Sequence, residues 1–201
     1  MKKVKSEFAM INYVGSGCFS DVYKATDHDG QIVAVKLYSK HEPMRGLDRE
    51  YEVLSRLDHP AIVKAKEYLR EAKTLILEYV PGTNIEDGTR YEPFPWLLDI
   101  ASAVKHCHDR KIAHRDILPC NVRITPENRG KLIDFGCATR KPTLKDYWYD
   151  LEGLGDLILS NCFRDRDLTK LGKAAMYSED IDIYEFYERL EDIAGCQTFN
   201  C

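Results

Sequence analysis

His114-Arg115-Asp116-Ile117-Leu118-Pro119-Cys120-Asn121 is followed, after a short apolar segment and a polar turn, by Leu132-Ile133-Asp134-Phe135-Gly136. Val122-Arg123-Ile124 and Lys131-Leu132-Ile133 read as two short strands, and Thr125-Pro126-Glu127-Asn128-Arg129-Gly130 between them is rich in turn residues. A hairpin there returns Asn121 and Asp134 to one end, near enough to share metal ions. Asp116, Asn121 and Asp134 are three oxygen donors spaced for separate tasks. Phosphoryl transfer asks for such a set, with a carboxylate to orient the attacking hydroxyl and oxygen ligands to hold Mg²⁺ against the phosphates.

With Asn121 five residues after Asp116 and Asp-Phe-Gly following, this stretch resembles the catalytic loop and metal-binding motif of the eukaryotic-type protein kinases. The resemblance implies that Asp116 accepts the hydroxyl proton and that Asn121 and Asp134 bind magnesium. His114 and Phe135 would pack structurally, and Gly136 would permit the turn that aims Asp134.

Working outward toward the N-terminus, Val14-Gly15-Ser16-Gly17-Cys18-Phe19-Ser20 lies between two β-rich segments, the second running through Val22. Small residues there let backbone approach phosphate oxygens that side chains would block. This looks like the family's glycine-rich loop, with Ser20 in place of the third glycine. Gln31 to Leu37 reads as a strand, and Lys36 interrupts its apolar run. A lysine there is costly unless paired or given an anion; otherwise it must snorkel to water. Ala34-Val35-Lys36 matches the family's strand lysine, which contacts the α and β phosphates. Leu47 to Leu57 reads as a helix, where Glu50 and Glu52 compete for an ion pair with Lys36. The family pattern selects Glu50.

Ile62-Val63 reads as the start of the next strand, and Glu71-Ala72-Lys73 as a hairpin between Tyr68-Leu69-Arg70 and Thr74-Leu75-Ile76-Leu77. Five strands and one helix result, as in a kinase small lobe. By resemblance Leu77 guards the back of an adenine pocket, and the Glu78 carbonyl and Val80 amide bind the adenine edge. Val14, Val22 and Ala34 join the ATP-binding set on the same ground. Thr83 to Pro95 reads as a connecting loop, and Trp96 to Asp109 as a helix with Leu97, Ile100, Ala101, Val104 and His108 on one face. His106 and His108, two apart on that helix, point to different faces, which argues against a metal pair. Asp150 to Leu159 starts another helix. The family has a helix with an early Asp that holds the catalytic-loop backbone, and Asp150 matches it; a plain helix cap is the alternative. A last helix is expected over Ile181 to Ala194. The expected fold is α+β and bilobal, a single kinase-like domain with a small lobe over 1–80, a hinge and connecting loop over 78–95, and a reduced, mainly helical large lobe over 96–201.

Three features depart from the family pattern. Leu118 and Cys120 stand where protein kinases keep a catalytic-loop lysine or arginine, and such preorganised charge is commonly worth ~10²-fold in rate. Arg115, Arg123 and Lys141 are the cations that could serve instead. Only about fifteen residues separate Asp134 from Asp150, too few for the usual activation segment with its Ala-Pro-Glu anchor. Thr139, Thr143, Tyr147 and Tyr149 are its phosphorylatable side chains, and Arg115, which in many family members clasps a phosphorylated activation loop, reads as structural here. The chain also stops soon after the helix at Asp150, which trims the large lobe, although Met1 suits a natural start.

Length, composition and charge agree with this reading. At 201 residues the chain can bury a proper core, and 44% hydrophobic with 31% charged residues describe an ordinary globular protein. A net charge of −4 gives no reason to expect a nucleic-acid partner. Lys2, Lys3 and Lys5 read as a solvated terminus, and no apolar run is long enough for a membrane span. Seven irregularly spaced cysteines without a Cys-x-x-Cys pair suit reduced thiols of a cytoplasmic protein; Cys196 and Cys201 could pair on oxidation. The expected activity is Mg²⁺-dependent phosphoryl transfer from ATP to a protein Ser/Thr hydroxyl, with a protein substrate or activating partner. Two alternatives are a small-molecule kinase or ATPase on the same fold and a non-catalytic nucleotide-binding scaffold. The residues leave the oligomeric state open.

Overall fold

Val33 and Val35 are fully buried and alternate with the half-buried Ala34, so one face of this strand seals a core and the other is left for chemistry. The computed structural model describes residues 8–17, 19–39, 44–85, 92–162, 164–178 and 180–198. Lys2, Lys3, Lys5, Cys18 and Cys201 lie outside them. The chain divides into two compact units, residues 1–58 with 63–80 and residues 59–62 with 81–201.

The first unit is an antiparallel sheet of five strands: β1 (Ala9–Ser16), β2 (Ser20–Thr26), β3 (Ile32–Tyr38), β4 (Ala65–Leu69) and β5 (Thr74–Glu78), in the order β1-β2-β3-β5-β4. Phe8, Ala25, Val33, Val35 and Ile76 form its core cluster. Burial of each large apolar side chain there contributes about 1.5–3 kcal/mol. Helix α1 (Met44–Leu54) lies between β3 and β4 in the chain. Leu47, Glu50 and Leu54 fall on its buried stripe at three- and four-residue steps, so a carboxylate sits where an apolar residue is expected. The helix is pinned by Asp48, which accepts hydrogen bonds from the Tyr68 hydroxyl and from Arg70 Nε (3.1 Å), and by stacking of Tyr51 on Tyr68. The β4 strand begins later than the sequence suggests. Ile62 instead makes an isolated parallel bridge to Leu132, which assigns it to the second unit.

The second unit is mainly helical. Its small sheet runs β6-β7-β8, from β6 (Thr83–Asn84), β7 (Val122–Ile124) and β8 (Gly130–Leu132). The expected loop over 83–95 therefore contains a strand, and helix α2 (Pro93–Asp109) starts inside it. Prolines suit a first helical turn, where the missing amide has no partner to lose. Helix α3 (Leu144–Asn161) begins before Asp150 because Thr143 and Asp146 form a capping box. Helix α4 (Arg166–Tyr177), capped by Asp165, was not expected, and α5 (Ile183–Thr198) closes the unit. Helices α3 and α4 cross closely. A Cβ on Gly155 would meet the Gly172 carbonyl oxygen at 2.7 Å, so only glycine fits. Among the described residues no helix is long and apolar enough to cross a membrane.

Candidate active site

The loop from His114 to Asn121 is held by one fully buried carboxylate. Asp150, in the second turn of α3, accepts hydrogen bonds from the His114 amide (2.9 Å), the Arg115 amide (2.6 Å) and His108 Nε2 (2.9 Å). It is a holder of backbone and not a helix cap. Arg115 has φ +68°, a left-handed conformation costing a non-glycine residue about 1–3 kcal/mol, and bonds of this kind offset it. Its guanidinium reaches Asp146 at 3.1 Å. The Thr143 hydroxyl and amide hydrogen bonds, with lesser help from Arg115, hold the Asp146 carboxyl below the usual range.

His114 is buried, and its ring bonds fix its charge. Nε2 donates to the Ile133 carbonyl at 3.2 Å, and Nδ1 accepts the Asp116 amide at 3.3 Å. An imidazole that accepts at Nδ1 is neutral, in agreement with burial pushing its pKa below 6.5. Phe135 packs edge-on against that ring at 4.5 Å and is itself fully buried.

Asn121 closes a short 3₁₀ turn begun by Pro119. Its amide nitrogen donates to the Asp116 carbonyl (2.9 Å) and to Asp116 Oδ2 (2.8 Å), and its own carbonyl accepts the Ile133 amide. Asp134 follows at φ +59°, with Oδ1 accepting the Gly136 amide at 3.1 Å. The hairpin β7–β8 thus brings Asn121 and the Asp134 backbone together. Three residues beyond Gly136, Thr139 exchanges two backbone hydrogen bonds with Ala113 (2.9 and 3.1 Å), which ties the short segment back to the chain before His114.

Magnesium takes oxygen ligands and usually keeps waters and substrate phosphates as the remainder. Because the Asn121 nitrogen is spent on Asp116, its amide oxygen is the atom left to coordinate. With the Asp134 carboxylate it makes a two-residue oxygen set, which suits Mg²⁺ completed by phosphate. Among the described residues no cluster of three or more His, Cys, Asp or Glu could hold a metal alone.

In the first unit, Lys36 Nζ donates to both Glu50 oxygens at 2.9 Å, with the two side chains 5% and 0% exposed. Glu52 on the same helix is exposed. Register sets Gly15 opposite Val22, Val22 opposite Lys36, and Ala34 opposite Leu77. Facing residues across a sheet share a side, so Val22, Ala34, Lys36 and Leu77 line one face, away from the Val33 and Val35 core. Val14 lies where the β1–β2 register shifts, and Ser16 and Gly17 are exposed at the tip of that hairpin. Glu78 and Val80 sit at the end of β5 and just past it.

Two expectations about cations change. Arg123 is bound to the Gly82 carbonyl and to Asn84 Oδ1 (3.1 Å), and Arg115 to Asp146, so both are engaged structurally. Leu118 is 44% exposed, a bare apolar position beside Asp116. Two residues of the site were missed. Tyr38, two after Lys36 and so on the same face, donates its hydroxyl to Glu50 and carries the Lys36 ammonium over its ring at 5.5 Å. His108 was visible only as a polar residue on an apolar stripe. The described cysteines, Cys107, Cys120, Cys137, Cys162 and Cys196, are free.

A five-stranded antiparallel sheet with one helix and a mainly helical second unit is the architecture of the protein kinase domain family, whose model matches residues 8–184. The chain belongs to that family. It is similar to an Aurora/IPL1-related protein kinase 2 of Caenorhabditis elegans, 34% identical over 155 residues, covering 70% of this chain and 51% of that protein. It is also similar to a probable serine/threonine-protein kinase, PBL28, of Arabidopsis thaliana, 30% identical over 207 residues, covering 92% and 53%. Aurora kinase A-A of Xenopus laevis is 30% identical over 152 residues, covering 68% and 37%. The chain spans about half the length of the first two relatives.

Proposed function

We propose that this chain transfers the γ-phosphoryl group of ATP to a protein Ser or Thr hydroxyl. The observation that carries the reading is the formed Lys36–Glu50 pair, because a kinase needs that pair in place to hold the phosphates. In this reading Lys36 holds the α and β phosphates and Glu50 keeps Lys36 extended. Asp116 orients the attacking hydroxyl and accepts its proton. Magnesium, held by Asn121 and Asp134, supplies charge neutralisation at the phosphates. The adenine edge goes to the Glu78 carbonyl and Val80 amide, against Val14, Val22, Ala34 and Leu77, and Gly15, Ser16 and Gly17 cover the phosphates. Ser/Thr preference rests on the similarity to the Arabidopsis thaliana relative, which is named as a probable serine/threonine-protein kinase.

A second reading, a small-molecule kinase or ATPase, is favoured by the engagement of Arg115 and Arg123, which leaves Lys141 as the only one of the three candidate cations not tied into the fold by its side chain among the described contacts. The test is incubation with γ-labelled ATP, Mg²⁺ and a generic protein substrate, beside Lys36→Ala and Asp116→Asn. Label on protein that both substitutions abolish is the expected result. ATP consumed without protein label would select the second reading. ATP bound without turnover would overturn both and leave a nucleotide-regulated scaffold.

A further inference from the structure

Glu50 lies on the buried stripe of α1 beside Leu47, Val53 and Leu54, and is itself fully buried. A carboxylate there offsets its desolvation only when donors meet its lone pairs. Lys36 gives one bond to each oxygen, and the Tyr38 hydroxyl adds another on Oε2. The Tyr38 ring also carries the Lys36 ammonium at 5.5 Å from its centroid, so one side chain braces both members of the pair.

Tyr38 is itself fixed in place. It ends β3, opposite Ser20 of β2, and its amide donates to the Lys73 carbonyl at 2.9 Å, in the turn between β4 and β5. The next amide, of Ser39, donates to the Phe19 carbonyl at 2.9 Å. A tyrosine on a main chain held from both sides has few torsions left to order, which makes it a stiff prop.

We propose that Tyr38 is a positioning residue that latches α1 to β3, so that the Lys36–Glu50 pair stands formed without phosphorylation of the segment after Asp134. In protein kinases this pair is commonly gated by the position of the helix and by phosphorylation of an activation loop. Here only about fifteen residues separate Asp134 from Asp150. The described polar and ring contacts of α1 lie within its own unit: Glu50 with Lys36 and Tyr38, Asp48 with Tyr68 and Arg70, and Tyr51 stacked on Tyr68. The tie at Asp48 is partly exposed, whereas the one at Glu50 is buried, and a donor to a buried carboxylate is the stronger kind of hydrogen bond. What the latch does for phosphate binding rests on the kinase reading above; the latch itself does not.

The experiment compares Tyr38→Phe, which keeps the ring and removes the donor, with the parent by amide exchange of the full chain without nucleotide. We expect the α1 amides to exchange about tenfold faster while those of β3 and β5 stay within about twofold. In the Lys36→Met/Glu50→Leu background, which lacks the carboxylate, the same substitution should change α1 exchange by less than about twofold. Equal acceleration in helix and sheet, an effect of the same size in both backgrounds, or no acceleration would make Tyr38 a packing residue and overturn the latch. Phosphatase treatment of the parent should leave α1 exchange unchanged, and a shift of about threefold or more would overturn the independence from phosphorylation. By calorimetry, Tyr38→Phe should weaken ATP about tenfold and adenosine by less than about twofold, because Lys36 is assigned to the phosphates. Equal weakening of the two would overturn the link from latch to phosphates. A parent that binds no ATP would count against the kinase reading alone, since the exchange experiment uses no nucleotide.

Discussion

The two units hold their polar residues in opposite ways. In the first, the groups assigned to chemistry hold each other, since Lys36 and Glu50 meet directly in a buried pair and Tyr38 leans on both. In the second, Asp150 takes no part in chemistry and holds the main chain of His114 and Arg115, leaving Asp116 and Asn121 to be set by the loop's own turns. A side-chain pair fixes two atoms, whereas a carboxylate bound to backbone fixes the path of a loop. The first arrangement is as sensitive to charge as to shape. The second depends above all on an acceptor being present.

That contrast breaks most visibly at Asp150. Asp150→Ala removes three acceptor bonds at a fully buried position and leaves two backbone donors and a histidine without that partner. We expect a loss of about 3–5 kcal/mol in urea unfolding. A loss under about 1 kcal/mol would mean the loop is held by its own turns. In the first unit, Glu50→Leu alone removes the carboxylate that meets the buried Lys36 ammonium and should cost about 3 kcal/mol. The double variant Lys36→Met/Glu50→Leu should recover to within about 1 kcal/mol of the parent while losing all phosphotransfer. If the double variant is as unstable as the single, the pair is a structural element as well as a chemical one.

Acid should separate the units further. Burial keeps the folded pKa of His114 below the usual 6.5, so as pH falls the unfolded chain takes up this proton first. The stability His114 contributes is thus complete above about pH 6.5 and is lost as pH drops from there toward the folded value, by at most about 1.4 kcal/mol per pH unit. His114→Phe should flatten that part of the profile in unfolding titrations between pH 7 and 5. Parallel profiles would show that the ring is not held neutral. A smaller change is expected at Arg115→Gly. Relief of the left-handed backbone opposes loss of a part-exposed pair with Asp146, and the net should stay within about 1 kcal/mol.

Much of this was readable from spacing. The strands of the first sheet announce themselves by alternation, and Asp116, Asn121 and Asp134 by their fixed separations along a loop and hairpin. What was not readable is long-range or carries a weak local signal. The His108–Asp150 bond joins residues 42 apart, and nothing near either position in the sequence predicts it. Helix α4 shows only Leu168 and Leu171 as large buried apolar residues, with glycine and alanine completing its stripe, so its period is faint. The start of α3 was legible in principle, because Thr143 and Asp146 have capping-box spacing nearly two turns before the Asp150 expected to open the helix. Arg115 and Arg123 looked available for catalysis because a sequence does not display which cations are already engaged.

The smallest structural effect should come from the glycines of the β1–β2 hairpin, and there it is the smallness that informs. A Cβ on Gly15 or Gly17 would meet nothing within 4 Å, and neither residue has positive φ, in contrast to Gly155, whose place in the fold excludes any side chain. The fold therefore gives no reason for glycine at either position. Gly15→Ala and Gly17→Ala should leave stability within about 0.5 kcal/mol of the parent, or raise it slightly by restricting the unfolded chain. If the absent side chains make room for phosphate oxygens, the same substitutions should weaken ATP binding while AMP binding stays nearly constant. Measuring both nucleotides by calorimetry on variants of unchanged stability isolates that role. Equal weakening of ATP and AMP would place the effect at the base or ribose, and no weakening of either would remove the hairpin from the phosphate site while leaving the Lys36–Glu50 pair to carry it alone.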